Sequence, residues 1–391
     1  MNEDAVDQRR GEFLGLGIYL GIVVVALAIG LYGVGDSGEL WLEDGARYCN
    51  NGAMVHDWLL SDQLLDPVSF AKANYAQYPA HSVPYHPPGY AVLLGSWFLT
   101  VGFSYASARC FTALCFAVGL CFFHAILRRQ GVVAWVALCA TLILATSPET
   151  ARWSRSAMSE TPAMTFILAA SYCFFRFTQT DRARWSWLAF LLAGIAFFCR
   201  VSSAGVLPAW FLFVLVTQGV RRVFSLCMTV PAIIYLVIGA GWCKFMSGFA
   251  AIEVRLSLFE ALSTSLSIEN LTVWFQGLPV MVGWITLGAA LIGAGWAFYD
   301  PSKRAFAWFW SFWFLGCYGL TVAQSGFFET RYFIFSVPAI CALSVAFLPT
   351  RFSSSLWRSV AVLPLGAAIA ANVVMLFGMP QGLRGYQEVA G

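Results

Sequence analysis

Long apolar runs recur along the whole chain, and they constrain its fold more than any other feature of the sequence. A helix of about 20 apolar residues crosses the roughly 30 Å hydrocarbon core of a bilayer. Apolar residues make up 59 % of the 391 residues and charged residues only 11 %, against roughly 25 % charged residues in soluble domains. Because the runs lack the alternation of apolar and polar residues found in barrel strands, the sequence predicts an all-α polytopic membrane protein. We expect residues 1–391 to form a single integral membrane domain.

Basic residues fall in short clusters between the apolar runs, and they predict the topology. Cytoplasmic loops carry an excess of Lys and Arg, and Arg9-Arg10 precede the first run. That run is longer than the h-region of a signal peptide and has no small-residue cleavage pattern after it, so we expect a transmembrane helix with a cytoplasmic N-terminus. About eleven predicted spans then place every basic cluster in the cytoplasm. They are 13–34, 107–127, 131–147, 160–178, 187–200, 203–219, 223–246, 277–298, 306–324, 332–348 and 359–378.

One apolar segment, Tyr90–Val101, is too short to cross a bilayer comfortably. If it crossed, Arg128-Arg129 and every later basic cluster would lie on the wrong side of the membrane. The prolines before it suit a helix N-terminus, so we expect a helix that lies on or dips into the outer face. Residues 35–106 then form a first external loop with juxtamembrane helices, and residues 247–275 form a second, larger external loop.

Polar side chains are concentrated in the first of these loops. Glu43 and Asp44 follow the first span, and a His-Pro-Pro turn at His86 precedes the short apolar segment. Charged side chains near hydrocarbon are costly, so they are usually paired or functional. Other ionisable residues on the same predicted side are Glu160, Arg200, Arg255 and Arg331. The sequence therefore predicts that chemistry is done at one face of the membrane.

Five motifs follow one another on this face. Residues 44–48 read Asp-Gly-Ala-Arg-Tyr, residues 86–90 read His-Pro-Pro-Gly-Tyr, and residues 101–109 read Val-Gly-Phe-Ser-Tyr-Ala-Ser-Ala-Arg. Residues 155–162 read Arg-Ser-Ala-Met-Ser-Glu-Thr-Pro, and residues 329–332 read Glu-Thr-Arg-Tyr. In this order they resemble motifs of the GT-C glycosyltransferase superfamily, which includes protein O-mannosyltransferases, aminoarabinose transferases and RgtA/B/C/D-like lipopolysaccharide glycosyltransferases.

The resemblance implies a GT-C fold and an inverting, mannosyltransferase-like glycosyltransferase. A sugar would pass from a polyprenyl-phosphate donor to an acceptor hydroxyl at the outer, periplasmic face, and the expected membrane is a bacterial inner membrane. The acceptor hydroxyl needs a general base within hydrogen-bond reach, and Asp44 is expected to fill that role. Glu43 and Glu160 are the other catalytic candidates.

The leaving phosphate needs positive charge, and the planar fork of Arg can bond two phosphate oxygens at once. The predicted donor-phosphate residues are Arg200, Arg331 and Arg255. The predicted lining of the substrate pocket is Tyr48, Tyr85, His86 and Tyr332. An alternative for His86 is a purely structural role, in which it braces the turn before two prolines.

The chain departs from the family pattern at Gly45, where the family has a second acid after the Asp. Because a divalent cation generally needs several oxygen ligands, we assign neither a metal nor another cofactor from the motif. The expected partners are a polyprenyl-phosphate-linked sugar, membrane lipids, and an acceptor that is a lipid, a glycan or a protein. No nucleic-acid partner is expected.

Two other readings are compatible with a polytopic chain that has Arg and Glu near the membrane. One is a transporter or lipid flippase without transferase activity, and the other is a catalytically inactive GT-C homologue. Transporters often show repeated halves and helices interrupted at the midplane. We find no such repeat, and the charges gather at one face. The enzyme is therefore the favoured hypothesis.

Overall fold

The computed structural model describes residues 3–34, 43–78, 86–249, 268–323, 330–348 and 355–378. Within these ranges the chain forms helices and turns and contains no strand. The helices are α1 Glu3–Gly30, α2 Glu43–Leu60, α3 Pro67–Gln77, α4 Gly89–Val101, α5 Tyr105–Arg129, α6 Ala134–Thr146, α7 Pro148–Ser154, α8 Glu160–Thr180, α9 Ala183–Cys199, α10 Leu207–Gln218, α11 Val220–Val223, α12 Leu226–Phe249, α13 Ile268–Val282, α14 Trp284–Tyr299, α15 Arg304–Ala323, α16 Val337–Leu343 and α17 Ser355–Gly378. Two 3-10 segments are Val201–Val206 and Thr330–Phe333.

The predicted all-α membrane fold is confirmed, and each predicted span coincides with a helix or with consecutive helical segments. Helices suit a bilayer because they satisfy their backbone hydrogen bonds internally. Four segments of the described chain are long and apolar enough to cross a membrane, and two bent pairs raise the number to six. Those four segments are Tyr105–Arg129, Val201–Gln218, Leu226–Phe245 and Arg304–Val322. The larger count of eleven spans stays a prediction.

The predicted span 277–298 is wrong as a single helix. Helices α13 and α14 meet there at an angle of 107°. Pro279 lacks a backbone N–H for the helical ladder, and Gly283 has a φ of +81°, which favours glycine. Helix α13 already begins at Ile268, so the last part of the predicted external loop 247–275 is helical. Residues 250–267 of that loop lie outside the described residues.

The region predicted as the first external loop contains the short helices α2, α3 and α4. Helix α4 has 13 residues, which span only about 20 Å at 1.5 Å per residue. It buries Tyr90, Leu94 and Phe98 and packs against α2. A Cβ added at Gly95 would lie 2.7 Å from the Val55 side chain, so the missing side chain allows this close approach. The predicted short helix is present, and its position at the outer face of the membrane stays a prediction.

The core surrounds α8, which packs between α5 and α9. Aromatic rings fill the space between these helices and the following ones. Phe174 on α8 stacks on Trp210 of α10 with ring centroids 4.8 Å apart, and Phe175 meets Phe309 of α15 at 4.6 Å. The packed core therefore fixes the start of α8 relative to the end of α9. Predicted site residues lie at both of these helix ends.

We expect residues 35–106 to lie wholly on the outer face, so that a cysteine introduced at Ser104 reacts with an impermeant thiol reagent added outside intact cells. Ser104 is exposed at the start of α5. The matched control is Ser302→Cys in the exposed turn between α14 and α15, which should react only from the cytoplasmic side. Both variants are made in a cysteine-depleted background. Labelling of residue 104 from the cytoplasm alone would contradict the topology.

Candidate functional site

Five separate parts of the chain meet in one cluster of charged and aromatic side chains. They are the start of α2, the turn before α4, the start of α8, the end of α9 and the 3-10 segment Thr330–Phe333. Seven of the residues predicted for the site are found there: Asp44, Tyr48, His86, Glu160, Arg200, Arg331 and Tyr332. The fold thus joins residues that are far apart in sequence, and we call this group the charged cluster.

Arg331 lies between the two carboxylates of the charged cluster. Its Nη1 donates a hydrogen bond to Asp44 Oδ2 at 2.7 Å, and its Nε lies 3.9 Å from Glu160 Oε1. Arg200 approaches the same Glu160 oxygen with Nη2 at 3.3 Å. A second Arg200 nitrogen, Nη1, donates to the Tyr48 hydroxyl at 3.2 Å. Two guanidinium groups therefore share one buried carboxylate.

Tyr332 helps to keep these two like charges near each other. The guanidinium carbon of Arg200 lies 5.0 Å from the centroid of its ring, and that of Arg331 lies 5.3 Å away. A cation within about 6 Å of an aromatic ring is attracted by the ring's negative face. The ring thus offsets part of the repulsion between the two arginines.

Glu160 is fully buried at the first position of α8. The N-terminus of a helix stabilises negative charge through its unpaired N–H groups and its dipole. Neither Oε1 nor Oε2 has a hydrogen-bond partner within the described residues. The charge of Glu160 is therefore balanced by the nearby ion pairs with Arg200 and Arg331.

Asp44 has 17 % of its side chain exposed. Burial disfavours its charged form, but the hydrogen bond and positive charge of Arg331 outweigh burial, so the pKa of Asp44 is lowered. Arg47, one turn along α2, adds a cation 3.6 Å from Asp44 Oδ1. Asp44 is therefore a carboxylate at neutral pH, open to one side, and able to accept a proton from a bound hydroxyl.

His86 lies beside Asp44, with Nε2 3.9 Å from Oδ1. Burial lowers the pKa of His86 to about 4, and the positive charges of Arg200 and Arg331 add to this, while Asp44 opposes it. His86 is therefore neutral at physiological pH. Its ring packs on Tyr48 at 4.9 Å, and burial raises the pKa of Tyr48 to about 12. These two side chains form a neutral wall next to the charges.

For three predicted site residues the structure describes no side-chain position. Arg255 and Tyr85 lie outside the described residues. Glu43 is the first residue of α2, one position before Asp44, but its side chain lies outside the described part of the chain.

The structure adds residues that the motif analysis did not assign to the site. Ser159 donates to the Tyr48 hydroxyl at 3.1 Å. Arg109 donates to the carbonyls of Arg155, at 2.8 Å, and Gly33, at 2.7 Å, and so ties the end of α1 to the second loop. Glu149 is buried in α7. Arg109 ends one of the five motifs, and Glu149 is a charge beside an apolar run. Such charges are usually paired, but the sequence does not indicate the partners of these two residues.

Within the described ranges, no three His, Cys, Asp or Glu side chains come together as a group that could hold a metal ion. The carboxylates of the charged cluster instead face arginines. The chemistry of the cluster is therefore that of two cations, two anions and a neutral aromatic wall.

Gly89 allows the first turn of α4 to touch the end of α9. A Cβ at this position would lie 2.6 Å from the carbonyl carbon of Phe198, two residues before Arg200. We expect Gly89→Ala to push α4 away, to destabilise the protein by about 1–3 kcal/mol, as overpacking does, and to lower activity. Thermal unfolding in detergent measures the first effect. Gly194→Ala on α9 is the control, because a Cβ there meets nothing within 4 Å; equal melting temperatures for both variants would contradict the prediction.

Comparison with known proteins found a matching family model and solved structures with a similar fold. Residues 85–242 match the family model described as dolichyl-phosphate-mannose-protein mannosyltransferase. The fold is similar to the crystal structure of ArnT from Cupriavidus metallidurans bound to undecaprenyl phosphate, with a TM-score of 0.59 and 17 % identity over 93 % of this chain and 72 % of that chain. The apo ArnT structure from the same organism gives 0.61 and 16 % over 94 % and 73 %. No curated protein matches in a sequence search.

The solved structures establish the fold, and the family model covers the segment from the end of the first loop into α12. That segment includes Glu160 and Arg200 of the charged cluster. Residues 85–242 are therefore similar to this mannosyltransferase family, and the chain as a whole shares the fold of ArnT.

Proposed function

We propose that this protein transfers a sugar from a polyprenyl-phosphate donor to an acceptor hydroxyl, with inversion at the anomeric carbon. The single observation that carries the proposal is the charged cluster itself. It places two arginines next to a partly open carboxylate, with Arg331 hydrogen-bonded to Asp44. A glycosyl phosphate needs both parts, cations for the leaving phosphate and a base for the attacking hydroxyl.

Arg331 and Arg200 hold the donor phosphate in this proposal. Both guanidinium groups are largely buried, with 8 % and 12 % of their side chains exposed. Ion–ion attraction is stronger in such a setting than in water, and the guanidinium fork matches two phosphate oxygens. As the bond between the anomeric carbon and the phosphate oxygen breaks, the growing negative charge on the phosphate is stabilised by these groups.

Asp44 acts as the general base. The acceptor oxygen attacks the anomeric carbon, its proton passes to the Asp44 carboxylate, and polyprenyl phosphate leaves with the bonding electron pair. One displacement without a covalent sugar–enzyme intermediate inverts the anomeric centre. Glu160 takes part through its pairing with both arginines, which holds the two guanidinium groups near each other.

The ion pair between Arg331 and Asp44 gives donor binding a second effect. A phosphate bound to Arg331 competes with Asp44 for the guanidinium group. Because Arg331 is what lowers the pKa of Asp44 against the effect of burial, weakening this pair makes Asp44 a stronger base. The donor thereby prepares the base that the acceptor needs, and productive turnover follows donor binding.

An apolar cavity of about 540 Å³ lies beside the charged cluster, between α4, α9 and α12. It begins at Pro88 and Gly89, two and three residues after His86, and runs along Phe190, Phe198 and Ile238. A polyprenyl chain is entirely apolar, so its burial in such a cavity is favourable by about 25 cal/mol per Å². We assign the first isoprene units of the donor to this cavity.

The relatives support the substrate class. The ArnT crystal structure contains undecaprenyl phosphate, and the matching family model is described by a dolichyl-phosphate sugar. Both are polyprenyl phosphates. The location that we propose is the outer, periplasmic face of a bacterial inner membrane, because the charged cluster lies on the side opposite the basic clusters of the predicted topology.

Two measurements test the proposal. Mass spectrometry of envelope glycans and polyprenyl-phosphate sugars, with and without the gene, should show loss of one glycan and accumulation of its donor. Transfer by the purified protein in liposomes, with the accumulated lipid as donor, should restore the product. A full set of glycans and donors in the deletion strain would contradict the proposed function.

A further inference from the structure

Ser159, the residue directly before Glu160, directs its hydroxyl away from its own helix. It occupies the N-cap position of α8 and is fully buried. An N-cap serine usually accepts a hydrogen bond from a backbone N–H of the first helical turn, but this side chain makes no such bond. It donates instead to the hydroxyl of Tyr48, 111 residues away in α2, at 3.1 Å. The serine therefore joins two elements of the charged cluster.

The Tyr48 hydroxyl receives hydrogen bonds from two sides. The second donor is Arg200 Nη1, at 3.2 Å. Tyr48 is 2 % exposed, and its ring packs against those of His86, with centroids 4.9 Å apart, and Tyr90, at 5.3 Å in an edge-to-face arrangement. Aromatic pairs at such distances stabilise each other, and a tyrosine side chain has few rotatable bonds. The phenolic oxygen is therefore a fixed acceptor between Ser159 and Arg200.

Arg200 depends on this acceptor because its carboxylate partner does not fix the guanidinium plane. Nη2 lies 3.3 Å from Glu160 Oε1, but neither oxygen of Glu160 forms a hydrogen bond within the described residues. The pair is therefore not the bidentate arrangement in which two parallel hydrogen bonds set the orientation of the planar fork. The bond from Nη1 to Tyr48 supplies a second fixed point. Together with the ring of Tyr332 beneath the guanidinium group, it gives the group a defined orientation.

We infer that Ser159 and Tyr48 are positioning residues of the donor-phosphate site, which hold the Arg200 guanidinium in the orientation that receives the phosphate. The inference rests on the proposed function, because the phosphate is that of the proposed donor. The Tyr48 hydroxyl acts through Arg200, and the Ser159 hydroxyl acts through Tyr48. A cation that is already oriented stabilises the leaving phosphate without any reorganisation during the reaction. Tyr48 lies one turn after Asp44 on α2, so the same bonds tie the helix of the base to the phosphate site.

The test measures binding of undecaprenyl phosphate to the purified full-length protein in detergent. We expect Tyr48→Phe, which keeps the ring, to weaken binding about tenfold, the lower end of the contribution of a hydrogen bond to a charged group. Ser159→Ala should weaken binding about threefold, within the range for a hydrogen bond between neutral groups. The double variant should be no worse than Tyr48→Phe alone, because the serine acts through the tyrosine hydroxyl.

A second double variant tests whether Tyr48 acts through Arg200. In an Arg200→Ala background, Tyr48→Phe should cause no further loss of binding, since the group that it orients is gone. Arg200→Gln serves as the background if Arg200→Ala does not fold. A role of Tyr48 in general stability would not depend on Arg200 in this way, so this comparison separates positioning from folding.

Tyr90→Phe is the matched control for the tyrosine. It removes a second buried phenolic hydroxyl, which contacts Thr112 at 3.4 Å, and it should bind as the parent does. Ser154→Ala is the control for the serine, because the Ser154 hydroxyl donates to the carbonyl of Ala151 in its own helix, at 2.9 Å. Binding by Ser154→Ala should also equal that of the parent.

Parent-like binding by Tyr48→Phe or Ser159→Ala would overturn the inference and leave the proposed function intact. An equal loss in Tyr90→Phe would also overturn it, since general loosening would then explain the effect. A further loss when Tyr48→Phe is added to the Arg200 variant would show that Tyr48 acts independently of Arg200, against the inference. A parent protein that binds no undecaprenyl phosphate would contradict the proposed function, and the positioning role with it.

Discussion

Asp44→Asn should lower turnover by about a hundredfold or more while the donor still binds. The reason is that the amide keeps the shape of the side chain and can still accept the hydrogen bond from Arg331, but it cannot take a proton at neutral pH. Removal of a general base typically lowers the rate by about 10²–10⁴-fold. Donor affinity should stay unchanged or increase, because the substitution removes a negative charge 2.7 Å from Arg331 that competes with the phosphate. The assay is transfer from a polyprenyl-phosphate sugar in liposomes, with donor affinity measured separately.

Glu43→Gln is the control for this prediction, and we expect a smaller loss of turnover. Glu43 precedes Asp44 in the first turn of α2, where successive backbone positions lie about 100° apart around the helix axis. If Glu43→Gln abolishes transfer and Asp44→Asn does not, the base is Glu43 and the motif is displaced by one residue.

The acid limb of the rate profile gives a second check on Asp44. Because Arg331 lowers the pKa of Asp44 and burial lowers that of His86 to about 4, neither group changes its charge between about pH 5 and pH 8. The kcat/KM of the parent should therefore be flat with respect to these two groups in that interval. Protonation of either one at lower pH should reduce activity.

Arg331→Ala should weaken donor binding about ten- to a hundredfold, and Arg331→Lys should restore it only in part. Hydrogen bonds to charged groups contribute about 1.5–3 kcal/mol each, and lysine replaces the planar fork by a point charge that cannot bond two oxygens in parallel. Turnover should fall as well, since Arg331 also holds Asp44 and lies near Glu160. Binding of the polyprenyl-phosphate sugar to detergent-solubilised protein measures the first effect.

Arg47→Ala is the matched control, because Arg47 is also a cation next to Asp44 but has 45 % of its side chain exposed. Exposed ion pairs contribute about 0–1 kcal/mol, so this variant should bind the donor almost as the parent does. Equal donor affinity in Arg331→Ala and the parent would remove Arg331 from the phosphate site. Arg200 would then be the remaining described arginine that contacts Glu160.

Much of the candidate site was predictable because its residues carry local signals. Asp44 follows an apolar run, His86 stands before two prolines, and Arg200 and Arg331 stand at the ends of apolar segments. Each is a polar group where polar groups are costly, which marks it as paired or functional. Glu149 carries the same signal and is buried in α7, but what packs around it could not be predicted from the sequence.

The bend at Gly283 shows why one span was predicted wrongly. Residues 277–298 are apolar throughout, and hydropathy responds to composition and not to the direction of the helix axis. Pro279 and the positive φ of Gly283 redirect the chain by 107°, although prolines and glycines also occur within continuous transmembrane helices. Packing against neighbouring helices decides between these outcomes.

The sequence by itself determined that this chain is an all-helical membrane protein, that a short helix follows the His-Pro-Pro turn, and which charged residues belong to one face. These properties follow from the length of apolar runs and from the cost of charge near hydrocarbon, which are local. Only the tertiary structure decided that Asp44 pairs with Arg331, 287 residues away, and that Arg200 reaches both Glu160 and Tyr48. Such pairs depend on how distant helices pack, and helix packing is set by the shapes of all the side chains between them.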